Sequence, residues 1–486
     1  MKISRLLTLI AFLAILMMAT HQAIDSDTWW HLRSGQWMVE NRAVITEDSF
    51  SLTRAGTPWQ YPGLWIQAAM FLVFDAFGPG GLNLWVSLTV VTIFIFVWLT
   101  MRGSTLGKVG VLLLAAASSA VYWAARPYLV TYLLAAIFFY YLEMYYRDGR
   151  GKLWLLPVMM VVWVNSHGGY LAGFLVLTPY LADALITWIT ANRQGEDPLE
   201  SKSKFKHLGL IGGLMLAATL VNPAGPGLWA LPFSTVSRQA EQLFIAEWQS
   251  PDFHQVYLLP FAVMLSLLLV VMGGTKKKFQ IYELLLVAGF GLLGLYSVRN
   301  IFFFVIVAPA VLIQGIDSLV AEWKGKFRIT RKLELDGKPS RFQSGLHIAM
   351  VFLFAVLAAG RVAAYLASEN NWEEISQSFP VAAVEYIREK QPEGNLFNSY
   401  NYGGYLIWAL PEYPVFVDGR ADLHQDKIIM EWYRTIILAG DWGAVLDEWG
   451  IGVVLLEPEQ PLVRELVDLG WQLGYADELA VVLIKD

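Results

Sequence analysis

The sequence predicts an α-helical membrane protein with many spans, followed by a small α/β domain at the C-terminal end. Of the 486 residues, 56% are hydrophobic and only 16% are charged, whereas about 25% of the residues are charged in a soluble domain. Apolar stretches recur as far as residue 366, and short β-rich runs such as "IGVVLLEP" and "LAVVLIKD" then alternate with helical ones. The net charge of −6 is modest and spread along the chain, so nucleic-acid binding is not indicated.

The first apolar stretch, residues 6–24, follows Lys2 and Arg5 and therefore looks like a signal peptide. It lacks a pair of small residues at a cleavage spacing, because His21 lies two residues before Ala23. With many spans following, we expect an uncleaved membrane anchor whose N-terminus lies in the cytoplasm. The sequence contains no cysteine, which excludes disulfides and thiolate metal sites.

Twelve stretches are candidates for spans, since about 20 apolar residues cross a bilayer as a helix. They are residues 5–24, 62–78, 81–101, 109–125, 128–146, 152–166, 169–190, 207–221, 255–273, 279–297, 301–321 and 344–366. Short loops rich in Lys and Arg stay in the cytoplasm. Five such loops occur, at residues 101–108, 147–152, 202–207, 275–279 and 324–332. From residue 147 onward they alternate with the other loops, as a regular series of crossings requires.

Only one span can connect the outer end of the first span to the cytoplasmic loop at 101–108, yet two candidates lie between them. Residues 81–101 are uniformly apolar, whereas the shorter stretch 62–78 includes Gln67 and Asp75. We therefore expect 62–78 to be a juxtamembrane helix at the outer interface. Eleven spans remain, and the C-terminal end lies outside.

This topology places most of the scattered polar residues in one compartment. The outer side receives residues 25–80, the Arg126–Pro127 turn, the "NSHGG" turn at 165–169, the loop 222–254, the Arg299–Asn300 turn and everything after residue 366. The cytoplasmic side receives only basic loops. We therefore expect a functional site on the outer side of a bacterial-type plasma membrane.

The stretch "DSDTWWHLRSGQW", residues 25–37, follows the first span directly. In a structural interpretation, Asp27 caps a helix, the tryptophans lie at the membrane interface and Arg33 contacts lipid phosphate. In a functional interpretation, Asp25 adds a carboxylate that a cap does not need, and Asp48 adds a third one on the same side. In a helix that begins after Asp27, His31 is the neighbour of Asp27. We expect at least one of these carboxylates to be functional.

The motifs resemble those of the GT-C superfamily of membrane glycosyltransferases, and the similarity extends through nearly the whole chain. An acid after the first span, an amphipathic helix, a second acid and "GTPWQYPGLW" are shared with the superfamily in general. The motifs "WWHLR", "ARPYLV", "WVNSHGG", "VNPAG", "NYGGYL" and "VDGR" resemble a bacterial branch similar to protein mannosyltransferases and aminoarabinose transferases. Relatives in this branch often have a His-Glu pair where this chain has Pro62–Gly63. If that pair is catalytic elsewhere, its loss implies an altered substrate or an inactive protein.

The resemblance implies a hexosyltransferase that moves a sugar from a polyprenyl-phosphate carrier to a glycan, lipid or protein acceptor on the outer side. The transfer inverts the anomeric carbon and needs a carboxylate that accepts the acceptor's proton. Asp27 best matches the first-loop acid of the family and is the expected base. Asp25 or Asp48 is the substitute.

The departing lipid phosphate needs fixed positive charge. Arg126 is the first candidate, with Arg299 and His167 in support, because each opens or closes a span on the outer side. A Mg²⁺ or Mn²⁺ ion would serve the same purpose, and the sequence spacing does not decide between them. The ligands of such an ion would be Asp25, Asp27 and His31.

Structural interpretations of several candidates stay open. Arg126 before Pro127 is typical of a helix start, and the glycines after His167 are typical of a tight turn. Further candidates for the site are His31, Arg33, Asn165 and Glu247, the last in a long loop. Tyr400, Asn401 and the "VDGR" residues 417–420 are as typical of turns as of ligands.

Two other functions stay open. A transporter or lipid flippase would place ionisable groups along a path near the bilayer midplane, whereas here most charges cluster at one interface. The acids that could line such a path are Asp75, Glu143, Asp183 and Glu283. A non-catalytic assembly subunit would instead bind a partner through its outer domain. The expected domains are residues 1–370, with the first outer loop 25–80, and residues 371–486, which we expect to select the acceptor.

Overall fold

The computed structural model describes residues 1–230, 245–326, 337 and 339–485. Part of the predicted outer loop 222–254 and most of the predicted linker 324–332 lie outside the described residues. The helices of the membrane part are Ile3–Ala19, Ser26–Asn41, Leu64–Thr100, Thr105–Ser119, Tyr128–Asp148, Leu155–Val164, Leu171–Gln194, Leu199–Ala218, Leu259–Gly274, Ile281–Tyr296, Ile301–Lys326 and Arg341–Leu366. Every stretch that was considered as a span is therefore mainly helical.

Seven helices of the described chain are long and apolar enough to cross a membrane. They are Leu64–Thr100, Thr105–Tyr122, Tyr128–Asp148, Gly168–Gln194, Val256–Gly274, Val298–Lys324 and Arg341–Leu366. Three shorter apolar helices, Ile3–Ala19, Leu155–Val164 and Ile281–Tyr296, lie at other predicted spans. The helix Leu199–Ala218 contains the basic stretch 202–207 in its first half. A polytopic helical membrane protein is confirmed, and the number of eleven crossings stays a prediction.

The predicted juxtamembrane helix and the predicted span after it form one helix with a sharp bend. Gly78 has φ 62° and ψ −159°, which is non-helical, and Pro79 follows it. Glycine tolerates this positive φ because it has no Cβ, and proline has no backbone N–H to continue the helical hydrogen bonds. The bend therefore separates residues 64–77 from the long apolar segment, at the place where the sequence predicts a boundary.

Two acids of the membrane part are paired with one arginine. Arg147 Nη2 lies 2.7 Å from Glu283 Oε1, and Arg147 Nε lies 2.5 Å from Glu143 Oε2. Tyr180 donates a hydrogen bond to Glu143 at 2.7 Å, and Tyr146 donates one to Asp183. Arg147 lies at the far end of the helix Tyr128–Asp148 from Arg126, about 30 Å away by helical rise. This cluster is therefore separate from the predicted outer site.

The C-terminal part forms a small α/β domain, as predicted. Its four strands are β1 (Asn395–Asn398), β2 (Ile451–Leu456), β3 (Gln472–Ala476) and β4 (Val481–Ile484), in the order β1-β2-β4-β3. The pair β1–β2 is parallel, and the other two pairs are antiparallel. The helices are Ser368–Ser376, Val381–Lys390, Tyr400–Ala409, Ala421–Ile436, Trp442–Glu448 and Pro461–Asp468. All six residues of β2 are buried, which explains its apolar sequence without polar side chains.

The first loop packs directly on this domain. The backbone N–H of Leu52 donates to the Val415 carbonyl at 2.8 Å, and the Val415 N–H donates to the Phe50 carbonyl at 3.2 Å. An added Cβ at Gly404 would lie 2.0 Å from the carbonyl oxygen of Ser26. The helix Ser26–Asn41, which we call the first-loop helix, and the helix Tyr400–Ala409 are therefore in backbone contact.

Candidate active site

Asp25 caps the first-loop helix. Asp25 Oδ1 accepts hydrogen bonds from the backbone N–H of Asp27 at 3.1 Å and of Thr28 at 3.0 Å. The Thr28 side chain accepts a hydrogen bond from the Asp25 N–H at 3.0 Å, which completes a capping box. The structural interpretation in which Asp27 is the cap is wrong, because the helix begins at Ser26, before Asp27.

The capping by Asp25 leaves the Asp27 carboxylate available for other contacts. Asp27 Oδ2 lies 2.7 Å from Arg126 Nη1, and 20% of the Asp27 side chain is exposed. This small exposed fraction means that the carboxylate is largely withdrawn from water but can still be reached. Of the two neighbouring first-loop acids, Asp27 is the one without a structural hydrogen bond to the helix backbone.

Arg126 lies among three carboxylates. Besides Asp27, it contacts Asp25 Oδ2 through Nε, and its Nη1 lies 3.1 Å from Glu247 Oε1. The helix after it begins at Tyr128, which agrees with the interpretation of Arg126–Pro127 as a helix start. The Thr28 hydroxyl donates to the carbonyl of Ala125 at 3.1 Å and so connects the Arg126 turn to the first-loop helix. The site thus brings together residues far apart in the sequence.

The charges of this cluster shift the pKa of its members in different directions. Burial is the main cause that raises the pKa of Asp27 to about 7, with Asp25 and Glu247 adding to the rise and Arg126 opposing it. Arg126, and more weakly Arg299, lower the pKa of Glu247 against the effect of burial. At neutral pH, Glu247 is therefore charged, whereas Asp27 holds a proton more readily than an ordinary aspartate does.

Arg299 lies in a short turn, Val298–Asn300, next to Glu247. The Ser297 hydroxyl donates to the Glu247 carbonyl at 2.8 Å, and the Arg299 guanidinium lies 4.3 Å from the centre of the Trp248 ring. Within the described residues, Arg299 forms no ion pair shorter than the usual 4.0 Å limit. Its positive charge is therefore less neutralised than that of Arg126.

His167 is a turn residue with a neutral ring. Its Nδ1 accepts a hydrogen bond from the Gly169 N–H at 3.0 Å and lies 2.9 Å from Thr131 Oγ1. Burial, and then the charge of Arg299, lower the pKa of His167 to about 3. The proton of the neutral ring is therefore on Nε2, which can donate a hydrogen bond to an anion but brings no positive charge.

Three further candidates lie at different depths around the site. His31 is buried, its Nδ1 lies 3.0 Å from Gln67 Nε2, and burial holds its pKa well below the usual value. Asn165 donates to the carbonyls of Val161 and Val221 at 2.8 and 2.7 Å, which is a structural role. Arg33 lies on the other side of the first-loop helix, in a separate cleft. None of these three contacts the Asp27 carboxylate.

Asp48 is not an available base, because it is buried in an ion network. Arg420 Nη1 lies 2.6 Å from Asp48 Oδ1, and Arg420 Nη2 lies 2.7 Å from Asp418 Oδ2. His424 Nε2 lies 2.9 Å from the same Asp418 oxygen. The four side chains are fully withdrawn from solvent. Burial alone would raise the pKa of Asp418, but Arg420 and His424 hold it well below its usual range. The network joins the first loop to the C-terminal domain.

The "VDGR" residues 417–420 also contact the candidate base. A Cβ added at Gly419 would lie only 1.8 Å from Asp27 Oδ1. Because glycine has no side chain, the backbone of this turn can lie directly against the carboxylate. The sequence does not place this motif at the site, although the Asp-Gly signal for a turn is correct.

Two solved structures are similar to this chain over more than nine-tenths of its length. The chain is similar to ArnT from Cupriavidus metallidurans bound to undecaprenyl phosphate, with a TM-score of 0.51 and 15% identity over 98% of this chain and 96% of that one. It is also similar to the apo oligosaccharyltransferase of Archaeoglobus fulgidus, with a TM-score of 0.55 and 10% identity over 92% of this chain and 69% of that one. This chain has the GT-C fold. No protein-family model and no curated protein sequence matches it.

Tyr61 lies beside the candidate residue His31 in this GT-C fold, and the sequence did not single it out. Its ring lies 5.2 Å from that of Trp30 and 5.3 Å from that of His31, measured between centres. A Cβ added at Gly63 would lie 2.3 Å from Tyr61 Cε1. The Tyr61 ring therefore occupies the space beside Pro62–Gly63, so a glutamate at Gly63 would require this ring to move. The interrupted aromatic pattern of "PWQYPG" is a signal that could have identified it.

A divalent cation bound by Asp25, Asp27 and His31 stays a prediction. Arg126 already contacts Asp25 and Asp27, and Gln67 lies against His31. Among the residues that the structure describes, no group of three His, Asp or Glu side chains lies close enough to hold a metal. The predicted set of Asp25, Asp27 and His31 therefore does not fit an ion as it stands.

Proposed function

We propose that this protein is a membrane glycosyltransferase with Asp27 as its base. It moves a sugar from a polyprenyl-phosphate donor to an acceptor, with inversion at the anomeric carbon. The observation that carries the proposal is a first-loop carboxylate that is free of helix capping, largely buried and shifted to a pKa of about 7. Such a pKa suits a general base near neutral pH. The likeness of the fold to ArnT bound to undecaprenyl phosphate supports the donor class.

In the proposed transfer, Asp27 accepts the proton of an acceptor hydroxyl as its oxygen attacks the anomeric carbon. The new bond forms on the face opposite the leaving phosphate, and the bond between the anomeric carbon and the phosphate oxygen breaks. The electron pair leaves with the lipid phosphate. The turn at Gly419 limits the motion of the Asp27 carboxylate, because the backbone lies directly against it.

Arg299 is now the first candidate for the leaving phosphate, ahead of Arg126. Three carboxylates surround Arg126 and would repel a phosphate, whereas Arg299 has no ion pair within the described residues. The neutral His167 can donate a hydrogen bond through Nε2 but adds no charge. Arg126 is then a positioning residue that holds Asp25, Asp27 and Glu247 together.

The test is release of sugar from a panel of radiolabelled polyprenyl-phosphate sugars by the purified full chain in lipid vesicles. We expect turnover of at least one donor and its loss in Asp27→Asn. Asp75→Asn, which changes an exposed acid on the helix Leu64–Thr100, is the matched control and keeps activity. Turnover that is indifferent to Asp27 would overturn its assignment as the base, whereas no turnover of any donor would overturn the proposed transferase in favour of a transporter or an assembly subunit. Vesicle flux and partner capture would then separate those two.

A further inference from the structure

A second cleft lies on the other side of the first-loop helix. It has a volume of about 430 Å³, which is in the range of ligand pockets. Both the first loop and the C-terminal domain contribute to it. Its lining residues are Arg33, Gln36, Trp372, Arg388, Tyr405, Trp408, Ala409, Pro411 and Glu412.

The cleft is separate from the Asp27 site. Asp27 and His31 are four residues apart and lie on one face of the first-loop helix, whereas Trp29, Arg33 and Gln36 lie on the opposite face by the 3.6-residue period. Trp29 is fully buried on that opposite face. A ligand in the cleft would therefore be bound away from the reacting atoms.

Three aromatic side chains line the cleft, Trp372, Tyr405 and Trp408, and they pack on the buried Trp29. Trp29 packs edge-on against Tyr405, with ring centres 5.2 Å apart, and lies 6.2 Å from both Trp372 and Trp408. Trp372 is 41% exposed, and Trp408 is half-buried. Flat aromatic faces at the edge of a polar cleft suit the C–H faces of a sugar ring, since their large apolar surface can be covered without loss of hydrogen bonds.

The polar groups of the cleft suit hydroxyls and an acidic group. Arg33 Nη1 donates to Gln36 Oε1 at 2.8 Å, and the buried Arg33 Nε has no hydrogen-bond partner among the described residues. Because Arg33 lines the cleft, its guanidinium charge would attract an anionic group of a ligand bound there. Arg388 is exposed and donates to the Ala409 carbonyl. Neither arginine forms an ion pair within the described part of the chain, and Glu412 can accept from sugar hydroxyls.

We propose that this cleft binds a sugar unit that carries an acidic group such as a phosphate. Its role as a distant subsite for an acceptor glycan rests on the proposed function, whereas sugar binding itself does not. A longer acceptor bound here would be held by the same helix that carries Asp27. The site would then contribute to the choice of acceptor and not to the chemical step.

The test is to measure the binding of glucose 6-phosphate to the purified full chain by saturation-transfer NMR. Inorganic phosphate and methyl glucoside are the comparison probes. We expect glucose 6-phosphate to bind best, and Trp408→Ala and Arg33→Gln each to weaken it by about tenfold. Arg388→Gln changes an exposed residue of the same cleft, so it is a second variant that tests the cleft without disturbing the packing. The controls Trp65→Ala and Arg42→Gln change exposed residues outside the cleft and leave binding unchanged.

Several results would overturn the inference. Inorganic phosphate that binds as tightly as the sugar phosphate would reduce the cleft to an anion site. Binding that is unchanged in Trp408→Ala would show that the sugar phosphate binds at another site. Binding that is lost when the protein is placed in bilayers rich in phosphatidylglycerol would show that a lipid headgroup occupies the cleft. Asp27→Asn keeps sugar binding if the two sites are separate. Binding of the sugar phosphate without any sugar transfer would contradict the proposed function but not the proposed cleft. Sugar transfer without binding of the sugar phosphate would contradict the proposed cleft but not the proposed function.

Discussion

Asp25 and Asp27 lie two residues apart and have different roles. Asp25 accepts hydrogen bonds from the first turn of the helix and contacts Arg126, so both of its oxygens are engaged. Asp27 contacts Arg126 through one oxygen and lies against Gly419 with the other. The proposed base is therefore the carboxylate that does not cap the helix.

We expect turnover to rise with pH through about 7. Burial, aided by Asp25 and Glu247, raises the pKa of Asp27 to about 7, so below that pH the carboxyl is protonated and cannot accept a proton. Above it, the carboxylate form dominates and the rate levels off. Glu247, whose pKa is lowered, stays charged and adds no second limb. Initial rates of sugar release at a series of pH values give the profile, and a flat profile in the active wild type would exclude Asp27 as the titrating base.

Asp25→Ala should lower the free energy of unfolding by about 1 kcal/mol or more, because the first-loop helix loses its N-cap. Asp25→Asn restores the cap and should recover most of that loss. Asp27→Asn should not destabilise the protein, since a raised pKa means that folding disfavours the charged form. Denaturation of the three variants in the same detergent gives the comparison. Equal losses for Asp25→Ala and Asp27→Asn would contradict the division of roles.

At the scale of elements, three close contacts at glycines position the first-loop helix. The first-loop helix contacts the helix after it at Gly35, where a Cβ would lie 2.1 Å from the Gln67 carbonyl oxygen. It contacts the helix Tyr400–Ala409 at Gly404, and its Asp27 contacts the Gly419 turn. Small residues allow these approaches, so the first-loop helix is held from three directions.

Gly419→Ala should reduce turnover at least about tenfold by displacing the Asp27 carboxylate, because even a small misplacement of a catalytic group is costly. The new Cβ would lie 1.8 Å from Asp27 Oδ1. Gly443→Ala is the matched control, since nothing lies within 4 Å of its added Cβ. Sugar release by the two variants, with unfolding temperatures measured alongside, gives the answer. Full activity of a folded Gly419→Ala protein would show that this contact does not position the base.

At the scale of the whole molecule, the first loop and the C-terminal domain form one unit. Asp48 comes from the first loop, whereas Asp418, Arg420 and His424 come from the C-terminal domain, and all four side chains are buried. The Thr53 hydroxyl donates to the Phe416 carbonyl at 2.8 Å and Trp59 Nε1 donates to Asp422 at 2.9 Å nearby. The candidate site is therefore built from both ends of the sequence.

Arg420→Met should destabilise the protein by about 3–5 kcal/mol, because it leaves two buried acids without their shared partner. Asp48→Asn combined with Asp418→Asn in the same background should recover part of that loss. Lys485→Met, which removes an exposed ion pair with Asp447, is the control and should have little effect. Limited proteolysis and denaturation give the comparison. A stable Arg420→Met protein with a protected first loop would contradict the proposed connection.

Much of the fold follows from local patterns. The apolar stretches became helices, the bend at Gly78–Pro79 lies where a boundary was expected, and β2 is a buried run of branched residues. The Asp25–Asp27 segment was predicted to be a site because charge beside a span is unusual, and this stays a prediction. Glu247 and "VDGR" could not be placed, since an exposed loop acid and an Asp-Gly turn have many possible surroundings.

The sequence by itself determined that this is a helical membrane protein with a small α/β domain and an acidic first loop. The hydropathy of a segment and the spacing of its apolar residues are local properties, so both can be read from a single sequence. The tertiary structure alone decided that Asp25 is the cap, that Arg126 is surrounded by acids, and that Asp48 is buried against Arg420. The cap is a local choice between two neighbouring acids, whereas the other two contacts join side chains 101 and 372 positions apart. Burial and charge acquire their effect there only when folding brings such distant groups into contact.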